Sequence, residues 1–314
     1  MDFTRRNKEI YLEDEIYRYR QTNKKISNMS LKRIKKLGIP PGYDTIWLSG
    51  DPNENIQVIA LDSKGRKQYF YHKNWTEQRH HEKFERMYKF LKKLPLLLKK
   101  VEADSNLRGF KKDKMIAFMI KIMNESYIRI GNKKYYDQNE SFGLTTLKRE
   151  HLKFKNGKLL LLFHGKHNVR QEIEIKEENT VRFLNRLYKL NFDWIMKYKN
   201  ADGLYYRVSA QDVNNYIHDV IGSDFTCKDF RTHGANKIFL ESLKSFSSPN
   251  SIKEMKQNIS KALNCTAEKL GNNKATSKKS YVMEYIINEY QNDCKLVLKG
   301  SLLKLLKKAS IKKL

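Results

Sequence analysis

Tyr281 stands in the stretch Thr276-Ser277-Lys278-Lys279-Ser280-Tyr281, after two lysines and a Thr/Ser-rich helix start. Apolar periodicity resumes at Val282, Tyr285 and Ile286, so the spacing predicts that Tyr281 lies in the first turns of a helix. A phenol there is either inert core or a nucleophile aimed at a phosphate, and with 18 tyrosines in the chain Tyr281 alone does not decide. Its company does: Arg129, Lys166, Arg231 and Asn272 each have a local setting that is odd for a purely structural residue. Breaking a phosphodiester without a metal needs an oriented nucleophile, fixed donors for the charge at phosphorus, and a proton for the leaving oxygen. Two arginines suit the second task, because a planar fork pairs with phosphate oxygens. A lysine suits the third, since its pKa falls readily in a cationic pocket. A tyrosine nucleophile conserves the bond energy in a phosphotyrosyl ester, so resealing needs no ATP.

The elements that must hold these residues follow from the patterning. A helix over Lys112 to Ile128 puts Met115, Met119, Ile122 and Ser126 on one stripe. Three residues further, that stripe reaches Arg129, and Gly131 is expected to end the helix. A guanidinium at the inner edge of an apolar face snorkels, pairs with a carboxylate or binds an anion. His151 to Ile175 reads as a three-stranded meander, with Asn156-Gly157 as one hairpin turn and Gly165-Lys166-His167-Asn168 as the other. Lys166 then sits at an exposed tip. Capping-box patterns open helices at Ser209-Ala210-Gln211-Asp212 and Thr226-Cys227-Lys228-Asp229, and Arg231 falls in the second turn of the latter. Ser251 to Leu270 is a helix closed by Gly271, directly before Asn272.

Upstream, a short helix is expected around Leu12 to Arg20, and Gly38-Ile39-Pro40-Pro41-Gly42 is a break. Thr45 to Leu48, Ile56 to Leu61 and Lys67 to His72 read as strands of a small antiparallel β domain. The third has Lys67, Tyr69 and Tyr71 on one face, after a Lys64-Gly65-Arg66 turn; this is either a solvated face or a surface contacting phosphates and a groove. Residues 73–80 read as a hinge. A helix follows from His81, interrupted at Pro95, with Leu96 to Leu98 as core. The tail from Gly300 to Leu314 is a basic amphipathic stretch. The domain expectation is residues 1–76 for a β-rich N-terminal domain and 77–314 for a larger catalytic one.

Composition bounds the partner. Lys+Arg number 63 against 35 Asp+Glu, a net charge of +28. Such a charge calls for a polyanion, with nucleic acid ahead of an anionic membrane surface. Cys227, Cys265 and Cys294 have no metal spacing and no close pairing, which suits a reducing compartment. No phosphate-binding loop ends in Gly-Lys-Ser/Thr, the N-terminus opens no apolar stretch, and no apolar run is long enough to span a bilayer.

Taken together, Tyr127-Ile128-Arg129-Ile130-Gly131, Gly165-Lys166, Lys228-Asp229-Phe230-Arg231-Thr232-His233-Gly234, Leu270-Gly271-Asn272-Asn273 and Ser277-Lys278-Lys279-Ser280-Tyr281 resemble, in order, the type IB DNA topoisomerases. The small poxvirus-like and bacterial members are the most similar. Ile39-Pro40-Pro41, Asp62 to His72 and Lys83-Phe84-Glu85-Arg86-Met87 extend the resemblance to roughly residues 30–290. It implies an α+β chain: an antiparallel β-rich N-terminal domain, then a mainly α-helical catalytic domain with a three-stranded sheet. It further implies Tyr281 as nucleophile, Arg129 and Arg231 on the non-bridging oxygens, and Lys166 as proton donor with help from Arg129. DNA contacts are implied for Arg66, Lys67, Tyr69, Tyr71, Lys134, Tyr135 and His167. The partner is double-stranded DNA, clamped by a monomer, with no metal, nucleotide or other cofactor and no membrane, in a bacterial cytoplasm or a virion or infected cell. One departure is Asn272, where the poxvirus enzymes carry histidine; its amide N–H can still donate to a phosphate oxygen. A tyrosine recombinase is the near rival, but Lys228 stands where recombinases show histidine, and the β-rich start does not suit one. A non-catalytic basic nucleic-acid-binding protein explains the charge and leaves Arg129 unaccounted for.

Overall fold

The computed structural model describes residue 4 and residues 7–40, 42, 43 and 45–311, except for the side chains of His80, Asn139, His167, Ser310 and Ile311. The chain divides into two compact units, Met1–Lys83 and Phe84–Leu314. It is α+β: an antiparallel sheet in the first unit, and in the second a helical body carrying a three-stranded sheet.

The first unit has five strands, β1 (Lys8–Glu13), β2 (Ile16–Tyr19), β3 (Thr45–Leu48), β4 (Ile56–Leu61) and β5 (Lys67–Tyr71), in the order β2-β1-β3-β4-β5, all neighbours antiparallel. The helix expected at Leu12 to Arg20 is therefore a hairpin. Its turn is made by Asp14 and Glu15, both at positive φ (45° and 63°), where a Gly or Asn would have signalled it. Helix α1 (Asn28–Leu37) is capped by the Ser27 side chain and ends on Gly38 in the left-handed region. Ile34 of α1 joins Ile10, Ile46, Leu48, Val58 and Ala60 in the core. Pro41 lies outside the described residues.

Helix α2 (Lys73–Ser105) takes in residues 73–80, expected as a hinge, and runs on through Pro95. A proline inside a helix costs about 3 kcal/mol. The buried side chains of Phe84, Met87, Phe90, Leu94, Leu97 and Val101 outweigh that loss at roughly 1.5–3 kcal/mol each. Of the expected Leu96–Leu98 core run, Leu97 is fully buried and Leu96 is 56% exposed.

Helix α3 (Lys112–Ser126) stops short of the expected Ile128, and Tyr127 rather than Gly131 caps it, at φ 56°. Arg129 is therefore in the segment after the helix, not on its stripe. After α4 (Lys133–Asn139), strands β6 (Leu152–Lys155), β7 (Lys158–His164) and β8 (Arg170–Ile175) form the expected meander, with Asn156 and Gly157 both at positive φ in the first turn. Helices α5 (Glu178–Tyr188), α6 (Ala210–Ile221), α7 (Cys227–Lys244) and α8 (Ile252–Leu270) follow, and the capping boxes at Ser209/Asp212 and Thr226/Asp229 form as the spacing predicts. Helix α7 runs through the centre of the unit. Phe230 and Phe239 are fully buried, and Phe90 of α2 packs edge-on against Phe230 at 5.3 Å.

Candidate active site

Two helix ends and one helix side build the site. Arg231, in the second turn of α7, is 5% exposed. Its Nη1 donates to the carbonyl of Tyr127 at the end of α3 (2.7 Å), and its Nη2 to the carbonyl of Leu270 at the end of α8 (2.8 Å). Carbonyls at helix C-termini lack intrahelical partners and carry partial negative charge, so they can host a buried guanidinium without a carboxylate. Gly234, one turn along α7, makes this possible: a Cβ there would lie 2.2 Å from the Tyr127 ring. Burial and the charge of Arg129 bring the Arg231 pKa down to about 10.

Arg129 is held by its backbone. Its carbonyl accepts from Leu144 N–H (2.9 Å) and that of Ile130 from Thr145 N–H (2.7 Å). The two strands cross where Gly131 and Gly143 meet, and a Cβ on Gly143 would lie 2.5 Å from Gly131 Cα. The Arg129 Nη2 donates to Asn272 Oδ1 at 2.5 Å, and Arg231 Nη2 reaches the same oxygen at 3.5 Å. Asn272 follows Gly271, which ends α8 in the left-handed conformation, and the Asn272 N–H closes back on the Ala267 carbonyl. With its oxygen on the arginines, the amide turns Nδ2 the other way. Among the described residues, Asn272 Nδ2 and Arg231 Nε are buried donors with no partner.

Tyr281 is not in the first turn of a helix. It is the last residue of a π-turn, Ser277–Tyr281, and the next helix, α9 (Glu284–Asn292), begins three residues later. Single π-turns concentrate at functional sites. Asn236 of α7, fully buried, fixes this break: its Nδ2 donates to the Tyr281 carbonyl (3.1 Å) and its Oδ1 accepts from Met283 N–H (2.8 Å). The Arg231 guanidinium lies 5.4 Å from the Tyr281 ring centre. Burial pushes the phenol up, but the nearby charges of Arg231, Arg129 and Lys228 outweigh it, so the net shift is downward.

Arg129, Arg231, Asn272 and Tyr281 thus converge. Lys166 does not join them: it stands exposed on a one-turn 3-10 segment, Lys166–Asn168, between β7 and β8, with its ammonium 5.9 Å from the Tyr135 ring centre. Lys134 and Tyr135 are exposed on α4. Lys148, whose ammonium lies 5.6 Å from the Tyr136 ring centre and 5.5 Å from that of Trp194, steadies α4. The His167 side chain lies outside the described residues. In the first unit, Lys67, Tyr69 and Tyr71 share the exposed face of β5, and the two tyrosine rings stack at 6.4 Å. Arg66 is paired instead with Asp62 (2.7 Å), whose carboxylate also gathers the backbone N–H groups of Lys64 and Arg66 and the Gln68 amide. These contacts, led by the Arg66 side chain, hold Asp62 well below the usual carboxylate range.

Among the described residues no group of three or more His, Cys, Asp or Glu could hold a metal ion, and no helix is long and apolar enough to cross a membrane. Asn236, Gly234 and the Asp62 pairing were not singled out from the sequence. Asn236 carried a weak signal, an asparagine inside a helix, where that residue needs a reason.

An antiparallel N-terminal sheet, a helical body with a small meander, and a tyrosine facing two arginines and an amide define a protein of the tyrosine DNA-breaking and rejoining class. Residues 72–301 match the family described as eukaryotic DNA topoisomerase I, catalytic core, and residues 16–62 the bacterial DNA topoisomerase IB N-terminal domain. The chain is 38% identical to DNA topoisomerase 1B of Acanthamoeba polyphaga mimivirus, over 88% of this chain and 85% of that one. It is 28% identical to DNA topoisomerase 1 of rabbit fibroma virus (86% and 85% covered) and 28% identical to DNA topoisomerase 1B of vaccinia virus (78% and 75%). The chain belongs to the type IB DNA topoisomerases, and so is an isomerase.

Proposed function

We propose that the chain relaxes supercoiled duplex DNA by transient single-strand cleavage and religation, with Tyr281 as nucleophile. The Tyr281 oxygen forms a bond to phosphorus as the bond from phosphorus to the 5′-oxygen breaks. The phenolic proton leaves to solvent and the Lys166 ammonium, helped by Arg129, supplies one to the 5′-oxygen. Arg129, Arg231 and the Asn272 amide hold the non-bridging oxygens, and reversal of the step reseals the strand without ATP or metal. The observation that carries this reading is a phenol made more acidic by two guanidinium groups, in a cluster where Arg231 Nε and Asn272 Nδ2 are buried without partners. A buried donor without an acceptor costs about 1–3 kcal/mol, and a phosphate oxygen would relieve it.

One copy of the chain acts as a clamp: residues 1–76 contact the duplex through Arg66, Lys67, Tyr69 and Tyr71, and residues 77–314 hold the catalytic groups with Lys134, Tyr135 and His167 as further contacts. The enzyme would work in a bacterial cytoplasm or in a virion or infected cell.

The test is relaxation of positively and negatively supercoiled plasmid in EDTA without nucleotide. The parent protein relaxes both. Tyr281→Phe binds DNA and yields no covalent adduct; an adduct of normal yield removes Tyr281 from the nucleophile's role.

A further inference from the structure

Gln171, the second residue of β8, lies between the two catalytic turns that the helices do not connect. Its register partner is Phe163 on β7, so its strand is the returning arm of the hairpin that carries Lys166. On one side it covers Gly165, the residue before Lys166: a Cβ on Gly165 would lie 3.2 Å from Gln171 Cγ. On the other it covers Gly271, the residue before Asn272: a Cβ on Gly271 would lie 2.2 Å from Nε2 and 2.4 Å from Oε1. The amide is held in that place by donating to the carbonyls of Val169 and Arg170, both at 3.3 Å. Gly271 therefore serves twice. It takes the positive φ of 57° that turns Asn272 into the site, and its missing side chain leaves the gap that the Gln171 amide fills.

Lys166 is exposed, on a one-turn 3-10 segment. Asn272 is the opposite case, fixed by both arginines. We infer that Gln171 is a positioning residue that packs the Lys166 turn against the Asn272 turn and thereby sets where the leaving-oxygen proton is delivered. This deepens the proposed function and rests on the reading of Lys166 as the proton donor. Among the described residues the hydrogen bonds of the Gln171 side chain go to Val169 and Arg170, not to Tyr281 or the arginines. Its loss should therefore slow only the step that depends on where Lys166 stands.

The experiment is single-turnover cleavage of a duplex with an ordinary 5′-oxygen at the scissile linkage, compared with the same duplex carrying a 5′-sulfur, a leaving group that needs no proton. Gln171→Ala should slow the oxygen substrate about tenfold and the sulfur substrate less than about twofold, since misplacing a proton donor costs only the proton-transfer contribution. Gln171→Met keeps the length of the side chain and should cleave the oxygen substrate within about threefold of the parent, because packing rather than the amide transmits the effect. Equal slowing of both substrates by Gln171→Ala, or no slowing of either, overturns the inference. So does a Gln171→Met protein as slow as Gln171→Ala. Lys166→Ala is run alongside. If sulfur restores Lys166→Ala but not Gln171→Ala, the positioning role alone falls; if sulfur fails to restore Lys166→Ala, the proton-donor reading falls and takes the inference with it.

Discussion

In the proposed reaction a single phenol is the nucleophile, and its acidity is a balance that can be measured. Burial disfavours the phenolate, while Arg231 and Arg129 favour it and win. The free-solution value is near 10, and the shift is downward, so the ionised form persists to lower pH than in an ordinary tyrosine and is lost only as pH falls through the lowered value. Single-turnover cleavage should accordingly rise with pH and level off below about pH 10. Arg129→Ala removes one of the lowering charges and should move that inflection upward; Arg129→Lys keeps the charge and should leave it near the parent position. An inflection that Arg129→Ala does not move would sink the electrostatic account. All five proposed catalytic residues were singled out in the sequence because each is a polar group next to a chain-turning signal. Asn272 follows a helix-ending glycine, and Arg231 follows a capping box. Asn236 and Gly234 were not legible. Helix α7 is buried over most of its surface, with only Lys228, Lys237, Glu241 and Lys244 exposed, so the apolar pattern does not single out what each buried position touches, and their partners, Tyr281 and Tyr127, are distant in the chain.

At the scale of the element, two departures from expectation share a cause: tertiary packing overrode a local signal. Proline breaks helices, yet α2 continues through Pro95 because its buried stripe persists on both sides of it. Glycine ends helices, yet α3 ends four residues before Gly131, on a tyrosine whose strained φ is compensated by a ring packed on Gly234. The β1–β2 hairpin escaped notice because two acidic residues occupy a turn that usually takes Asn-Gly. Where the local signal and the packing agree, as in the capping box of α7, the reading held. That box also has a second function. Asp229, 4% exposed, accepts the Thr226 N–H at 2.7 Å and a two-pronged pair from Arg86 of α2 at 2.8 and 2.7 Å. It thus anchors the start of the helix that carries Arg231. Asp229→Ala removes this pair and uncaps α7; because the Arg86 side chain is 42% exposed and can turn to water, the loss should be about 1–3 kcal/mol in urea unfolding. Gly234→Ala drives a methyl into the Tyr127 ring and should cost about 1–3 kcal/mol. It should also slow cleavage, because the Tyr127 carbonyl that receives Arg231 must move. A Gly234→Ala protein with parental stability and rate would show that the close approach of α7 to Tyr127 is dispensable.

At the scale of the whole molecule, the excess of 63 basic over 35 acidic residues sets how the chain meets a polyanion. Net charge raises affinity for any nucleic acid, but it does not say which side chains touch phosphate. The exposed face of β5 offers a way to separate the two, because it carries one cation, Lys67, beside two stacked rings, Tyr69 and Tyr71. Arg66, the nearest other cation, lies in the turn before β5 and is paired with Asp62. A side chain that neutralises a phosphate releases a counterion and contributes about −0.9 to the slope of log affinity against log salt, whereas a ring contributes affinity without changing the slope. Lys67→Ala should therefore weaken duplex binding and flatten the slope by about one, while Tyr71→Ala weakens binding and leaves the slope as it was. Equilibrium binding across a salt series reads both quantities at once. If Lys67→Ala and Tyr71→Ala change the slope alike, β5 is a general basic surface, and the division of its exposed face between phosphate and groove contacts is wrong.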